Sequence, residues 1–203
     1  DCSSRGLGDV YKRQITGWRF NTLLATTHIA LSEVPKKLNT QLIHSKLDLL
    51  KNFCNTYIDK PILKVAGLNP HAGEEGILGN EEKDWLNSAL IAWNEKNRDI
   101  QLLGPLSPDS CWNSSAKAWI NKDAERHDGI LAMYHDQGLI PMKVIALNYS
   151  VNTTIGLPFI RTSPDHGTGF DIAGRGIAQC QSMIEAIKAA IEMNKNSRLL
   201  NTH

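Results

Sequence analysis

The stretch Ile62-Leu63-Lys64-Val65-Ala66-Gly67-Leu68-Asn69-Pro70-His71-Ala72-Gly73-Glu74-Glu75-Gly76 decides the fold. Its first six residues, opened by Pro61, form a short and mostly apolar run, as in a strand covered on both faces. The run passes directly into a polar loop bearing glycine. Asn80 then caps a helix whose first turn carries Glu81 and Glu82, acids suited to the positive end of a helix dipole. The result is a β-loop-α unit with its polar loop at the strand's carboxyl end. The same order recurs on both sides. Downstream, Gly129 to Tyr134 is a second short apolar strand, followed by His135-Asp136-Gln137-Gly138 and a short helix around Ile140 to Ala146. Upstream, the segment from Trp18 runs as a strand into Thr26-Thr27-His28. A helix starts near Ser32 and Glu33 with Pro35 in its first turn, and another spans Gln41 to Tyr57, where Leu42, Ile43, Leu47, Leu50, Phe53 and Cys54 recur at helical spacing. Strands alternating with helices predict an α/β sheet whose ligands sit beyond the strand carboxyl ends.

The rest of the chain is less regular. Arg98 to Arg126, with Gly104-Pro105 and Ser107-Pro108-Asp109, reads mostly as irregular connection without a legible function. Thr153 to Ile160 is strand-like. Thr162 to Ala178 is rich in glycine and small polar residues, and a last amphipathic helix uses Met183, Ile184, Ile187 and Ile191 as its apolar face. No internal repeat is present.

Bulk properties exclude several function classes. A net charge of +1 supplies no basic field for nucleic acid or an anionic membrane, and no apolar run is long enough to span a bilayer. Cys2, Cys54, Cys111 and Cys180 are scattered and form no CxxC pair, so reduced thiols in a cytoplasmic setting are expected rather than a zinc ribbon or a disulfide framework. Residues 1–14 lack apolar periodicity and do not resemble a signal peptide. Asp9 to Gln14 (DVYKRQ) is what in-frame translation of a transposase-adapter sequence yields, so residues 1–14 are expected to be non-native and are set aside from fold reasoning.

Three histidines, His28, His71 and His135, each stand in a loop after an apolar strand. In a common sheet they can converge, and three neutral imidazoles with an open position make a usable divalent-metal site. The alternative for each is a turn cap or a bond to a backbone carbonyl. Lys143, Asn152 and Arg161 read either as ordinary solvated polar residues or as recognition of phosphate and carboxylate, with Arg161 as a bidentate fork and Lys143 as a point charge. Asp165-His166-Gly167-Thr168, leading to Asp171, is either a flexible loop or a main-chain cradle for an adenine nucleotide. The Gly-x-Gly-x-x-Gly dinucleotide fingerprint is absent, so any NAD site is of another type.

GLNPHAGEEG at Gly67 to Gly76, AMYHDQGLIPMK at Ala132 to Lys143 and VNTTIGLPFIRTSPDHGTGFDIAGRGIA at Val151 to Ala178 resemble the 4-hydroxythreonine-4-phosphate dehydrogenase family of pyridoxal phosphate biosynthesis, as does Thr26-Thr27-His28. The resemblance runs from about Ile15 to the last helix. It implies a three-layer α/β/α, isocitrate/isopropylmalate dehydrogenase-like architecture of two domains. Residues 15–150 would form the substrate, metal and dimerisation domain, and residues 151–203 the C-terminal part of an NAD-binding domain whose first part is missing. It further implies a homodimer with shared active sites, and a divalent ion (zinc, magnesium, cobalt or manganese, with iron also suited to imidazoles) on His28, His71 and His135, one of them from the partner subunit. Lys143, Asn152 and Arg161 match substrate-binding positions, and Asp165, His166, Gly167, Thr168 and Asp171 fall in the segment that receives the NAD adenosine. Asp136 would orient an imidazole or move a proton. The implied reaction is NAD-dependent oxidation of the 3-hydroxyl of 4-phosphohydroxy-L-threonine, followed by decarboxylation to 3-amino-2-oxopropyl phosphate. An upstream region bearing a His-Thr pair is expected to be lacking, leaving the chain as given inactive and poorly folded.

Two other readings compete. One is a paralogous dehydrogenase acting on phosphorylated threonate or erythronate, or on a cis-dihydrodiol. The other is a binding protein that holds metal or phosphate ligands without catalysis. Nucleotide-linked absorbance separates the second from both enzymes.

Overall fold

A computed structural model describes residues 8–15, 18–121, 128–146, 149–165 and 167–200. Among these, β1 (Gly8–Ile15), β2 (Trp18–Leu24), β3 (Ile62–Ala66), β4 (Gln101–Leu106), β5 (Gly129–Ala132), β6 (Val151–Ile155) and β7 (Arg161–Pro164) form one sheet in the order β4-β3-β5-β2-β1-β6-β7. β4, β3, β5 and β2 run parallel, whereas β1, β6 and β7 join through antiparallel pairs. The helices are α1 (Val34–Lys37), α2 (Thr40–Asn55), α3 (Asn87–Lys96), α4 (Asn113–Asn121), α5 (His135–Ala146) and α6 (Gln181–Leu200).

The parallel strands feed two cores. Leu23, Leu63, Val65 and Leu131 pack with Ile43, Leu47 and Leu50 of α2 and Leu90 and Trp93 of α3. Their neighbours Leu24, Ala66 and Ile130 face the other way, onto Met142 and Ala146 of α5 and Trp112 ahead of α4. Alternate side chains of each strand are therefore buried on opposite faces. That is why these strands read as unbroken apolar runs, and it makes this region a three-layer α/β/α arrangement. The Asn39 side chain caps α2 by accepting from Leu42 N–H at 2.9 Å. Asn80 precedes a π-helical turn, Glu82–Leu86, that merges into α3. Among the described residues no helix is long and apolar enough to cross a membrane.

Four expectations need correction. The connection from Arg98 contains β4 and α4, with residues 122–127 outside the described residues. Gly104-Pro105 hides the strand from a propensity reading, but β4 is an edge strand paired only to β3, where a missing N–H is tolerated. The strand-like segment ends at Ile155, and the chain turns through Gly156 (φ 86°) and returns as β7, inside the stretch read as irregular. The segment set aside at the N-terminus contributes β1, which hydrogen-bonds to β2 and β6 through its backbone and so needs no apolar pattern; residues 1–7 lie outside the described residues. Finally, α6 turns its small residues inward. Ala186 and Ala189 are buried with Val151, while Ile187 and Ile191 are 54% and 53% exposed and Met183 and Ile184 are exposed beside them.

Candidate functional site

The site begins with two loops held together by backbone. Beyond the paired ends of β2 and β5, Ala25 N–H donates to Ala132 O at 2.8 Å, Thr26 N–H to Met133 O at 3.2 Å, and the Thr26 hydroxyl to Met133 O at 2.7 Å. This strap carries the parallel register past the strands and brings the loops out side by side. The rings of His28 and His135 consequently stand 5.3 Å apart between centroids, inclined at 45°. His135 opens α5, and its Nδ1–H donates to Asp136 Oδ1 at 2.7 Å in the tautomer that leaves the Nε2 lone pair free. Gln137, which the sequence did not single out, is buried and joins a third loop to these two. Its Oε1 accepts from Met133 N–H at 2.6 Å and its Nε2 donates to Gly67 O at 2.7 Å.

That third loop carries His71. Its backbone is left-handed at five successive residues, from His71 (φ 53°) to Glu75 (φ 57°). Glu82, 2% exposed, accepts from Leu68 N–H (2.7 Å), Asn69 N–H (2.8 Å) and Asn69 Nδ2 (2.8 Å), fixing the loop's entry. His71 itself is exposed. Among the described residues, no group of three or more His, Cys, Asp or Glu side chains is arranged to hold a metal ion, so the three loop histidines do not form a complete ligand set within one chain. Asp109, in the loop after β4, was also missed. The Ser107 hydroxyl, donating at 2.5 Å, holds its carboxyl below the ordinary range, and the charge of His71 adds a smaller pull the same way. Ser107-Pro108-Asp109 is a short polar cluster after a strand, the same signal that marked the histidines, but it went unused because the strand before it was not recognised.

Lys143, on α5, donates to Asp165 Oδ1 at 3.3 Å, and Asp165 also accepts from the Ser150 hydroxyl at 3.0 Å. Arg161 donates from Nη1 to the Thr154 hydroxyl across the β6–β7 pair at 2.6 Å. Asn152 lies two residues before Thr154 and so on the same strand face, and its Oδ1 is buried without a hydrogen-bond partner among the described residues. Lys143, Asp165, Gly167, Thr168, Ile172 and Ser182 are among the residues lining a cavity of about 920 Å³. Asp171 is exposed and outside that lining, and His166 lies outside the described residues. The arrangement therefore offers imidazoles with a free lone pair, a guanidinium and an ammonium for anions, and a glycine-lined hollow large enough for part of a nucleotide.

The family described as "Pyridoxal phosphate biosynthetic protein PdxA" matches residues 11–190. The chain belongs to the PdxA family. It is 54% identical over 180 residues to a 4-hydroxythreonine-4-phosphate dehydrogenase of Synechococcus sp. (strain RCC307), an alignment covering 88% of this chain and 55% of that protein. A 4-hydroxythreonine-4-phosphate dehydrogenase crystal structure from Klebsiella pneumoniae superposes with a TM-score of 0.75 at 36% identity, over 91% of this chain and 53% of that one. A terephthalate 1,2-cis-dihydrodiol dehydrogenase from Burkholderia xenovorans LB400 gives 0.65 at 27% identity, over 92% and 56%. The chain thus spans about half the length of the curated relatives it matches. The PdxA match takes in all three loop histidines together with Lys143, Asn152 and Arg161, and its first four residues lie inside the segment expected to be foreign.

Proposed function

We propose that this chain is part of an NAD-dependent, divalent-metal-assisted dehydrogenase that oxidises 4-phosphohydroxy-L-threonine at its 3-hydroxyl and decarboxylates the product to 3-amino-2-oxopropyl phosphate, in pyridoxal phosphate biosynthesis. The observation that carries the reading is the His28–His135 pair, with Asp136 holding His135 in the tautomer a metal requires. The donor set fits a divalent ion. His28, His71 and His135 would hold it, one of the three coming from the partner subunit of a homodimer. When bound, the ion supplies Lewis acidity toward the substrate's hydroxyl oxygen and NAD supplies an acceptor for its hydride.

The chain's own residues do the rest. Arg161, already oriented by Thr154, presents a planar fork to phosphate or carboxylate. Lys143 adds a point charge from the wall of the cavity, where Asp165 steadies it without neutralising a second anion nearby. The orphaned Asn152 Oδ1 accepts from the substrate's ammonium or hydroxyl, which removes a buried unsatisfied acceptor at the moment of binding. Asp136, tied to His135, would orient that imidazole or move a proton at its own carboxylate. Asp165, Gly167 and Thr168 cradle the adenosine end of NAD, with His166 and Asp171 in the same segment. Unbridged Cys54, Cys111 and Cys180 accord with a cytoplasmic setting.

The cis-dihydrodiol dehydrogenase likeness keeps a second substrate class in view, because one scaffold serves both. NADH formation is measured at 340 nm with 4-phosphohydroxythreonine, 4-phosphothreonate and a cis-dihydrodiol, using this chain and a chain extended upstream to its relatives' length. Turnover of the first substrate alone is expected in the extended chain. Preference for either of the others reassigns the substrate. Stoichiometric metal binding with no nucleotide reduction on any substrate makes this a binding protein.

A further inference from the structure

Lys64 sits in the middle of β3, 5% exposed, in a strand otherwise given over to the core. Its Nζ donates to the Ser114 hydroxyl at 2.5 Å, and among the described residues no carboxylate lies within ion-pair distance of it. A buried ammonium satisfied by one neutral hydroxyl is costly, because two of its three donors and its whole charge remain uncompensated. An anion entering beside it would supply the missing counter-charge.

The space around it suits that role. Lys64 opens onto a cavity of about 530 Å³ between β3 and the start of α4, lined also by Lys117, Ser107, Ser110, Cys111 and Ser114. Ser114 and Lys117 are three residues apart on α4, so they share one helix face with both polar groups toward the hollow. The Ser114 oxygen is occupied as an acceptor from Lys64, which leaves its proton to donate. Among the described lining residues none is acidic and burial pushes the Cys111 thiol up to about 12, but the Asp109 carboxylate stands just outside the lining, takes the Ser107 proton and is felt at Cys111. The protons of Ser107 and Ser110 are given to Asp109 and to the Ser107 carbonyl, so the donors that face an incoming tetrahedral oxyanion are the two ammonium groups and the Ser114 hydroxyl.

We propose that this cavity is a binding site for a phosphate group, free or as a monoester, separate from the anion-recognising Lys143, Asn152 and Arg161. It shares no lining residue with the cavity bearing Lys143. It also does not rest on the dehydrogenase reading, since a protein with no catalytic activity would keep it.

The test is phosphate binding by the whole chain at constant ionic strength, followed by calorimetry and by phosphate-dependent thermal protection, with chloride as the control. One arm uses inorganic phosphate and the other O-phosphothreonine, which distinguishes a free anion from an ester. Lys64→Met is expected to weaken the site roughly tenfold or more, the value of one charge-assisted hydrogen bond. Lys117→Ala, at an exposed position, is expected to weaken it roughly twofold to fivefold. Arg161→Met is expected to remove only the binding owed to the Lys143, Asn152 and Arg161 group and to leave a second, Lys64-dependent phosphate isotherm in place. Methionine fills the lysine stem's volume without a charge, so the variant is expected to fold at least as well as the parent. If Lys64→Met and Lys117→Ala bind phosphate as the parent does, or if Arg161→Met alone removes all binding, the proposal is overturned.

Discussion

Replacing Glu82 with alanine is expected to unlock the loop that carries His71. Four non-glycine residues there, His71, Ala72, Glu74 and Glu75, hold left-handed φ values between 44° and 57°. At roughly 1–2 kcal/mol per residue, that conformation costs on the order of 4–8 kcal/mol. Glu82 accepts three hydrogen bonds at 2.7–2.8 Å from Leu68 and Asn69, and bonds to a charged acceptor contribute about 1.5–3 kcal/mol each, enough to offset the strain. Alanine removes all three, the loosened loop sheds part of its strain in return, and the expected net loss is about 3 kcal/mol. In a chain of this size the midpoint of thermal unfolding falls by roughly 6–12 °C. Glutamine separates charge from shape. Its Oε1 keeps both backbone donors, but its amide faces Asn69 Nδ2 donor to donor, so about half the loss is expected. Urea unfolding followed by tryptophan fluorescence, with thermal melts by circular dichroism, measures both variants. A Glu82→Ala chain within about 1 kcal/mol of the parent, or a glutamine variant as unstable as the alanine one, would refute the idea that this carboxylate holds the loop.

Three further outcomes follow from the packing. Because burial, the largest influence, raises the Cys111 thiol to about 12 from an ordinary 9.0, its contribution to stability is complete below pH 9 and declines as pH climbs toward 12. Cys111→Ala is expected to flatten that alkaline limb in unfolding curves, and iodoacetamide at pH 8 should label exposed Cys180 while sparing Cys111. On α6, Ile187→Ser is expected to change stability by less than about 0.5 kcal/mol whereas Ala186→Leu costs about 1–3 kcal/mol, a contrast that melts of the two variants check. Gly138→Ala would set a methyl 2.5 Å from Leu24 Cδ2 and 2.9 Å from Thr22 Cγ2, and a loss of about 1–3 kcal/mol by chemical denaturation is expected.

The sequence revealed the fold where side chains dictate it and obscured it where the backbone does. β2, β3 and β5 are buried on both faces, so their apolar runs announce strands, and the polar residues that follow mark the loops at their carboxyl ends. β1, β4 and β7 are held by main-chain pairing at the edges or across an antiparallel join, a bond that any residue with an N–H makes and no hydrophobic pattern records. α6 misled for a related reason. Its isoleucines show helical periodicity, yet the helix approaches β6 and β7 through Ala186 and Ala189, and Thr162 Oγ1 bonds directly to Ala186 O at 2.9 Å. Small residues permit that closeness, and a moment computed from large side chains points to the opposite face.

The same distinction governs the candidate site. His28 and His135 were legible as loop residues after strands, but their meeting depends on Thr26 and Ala25 extending the β2–β5 pairing beyond the sheet, which is a property of parallel register rather than of either histidine. His71 was equally legible, and it stands on a left-handed loop whose entry is anchored by Glu82, thirteen residues beyond Asn69. The metal site proposed above would have two ligands whose spacing is fixed by the sheet and a third whose position is fixed by a strained loop. Loosening Glu82 should then weaken metal affinity by displacing His71 alone, with the His28–His135 spacing intact. A cobalt titration of Glu82→Gln in the extended chain, reading d–d absorbance for a loss of one nitrogen ligand, checks this. Unchanged affinity and an unchanged spectrum would mean that the loop's geometry does not govern ligation and that His71 is not the third ligand.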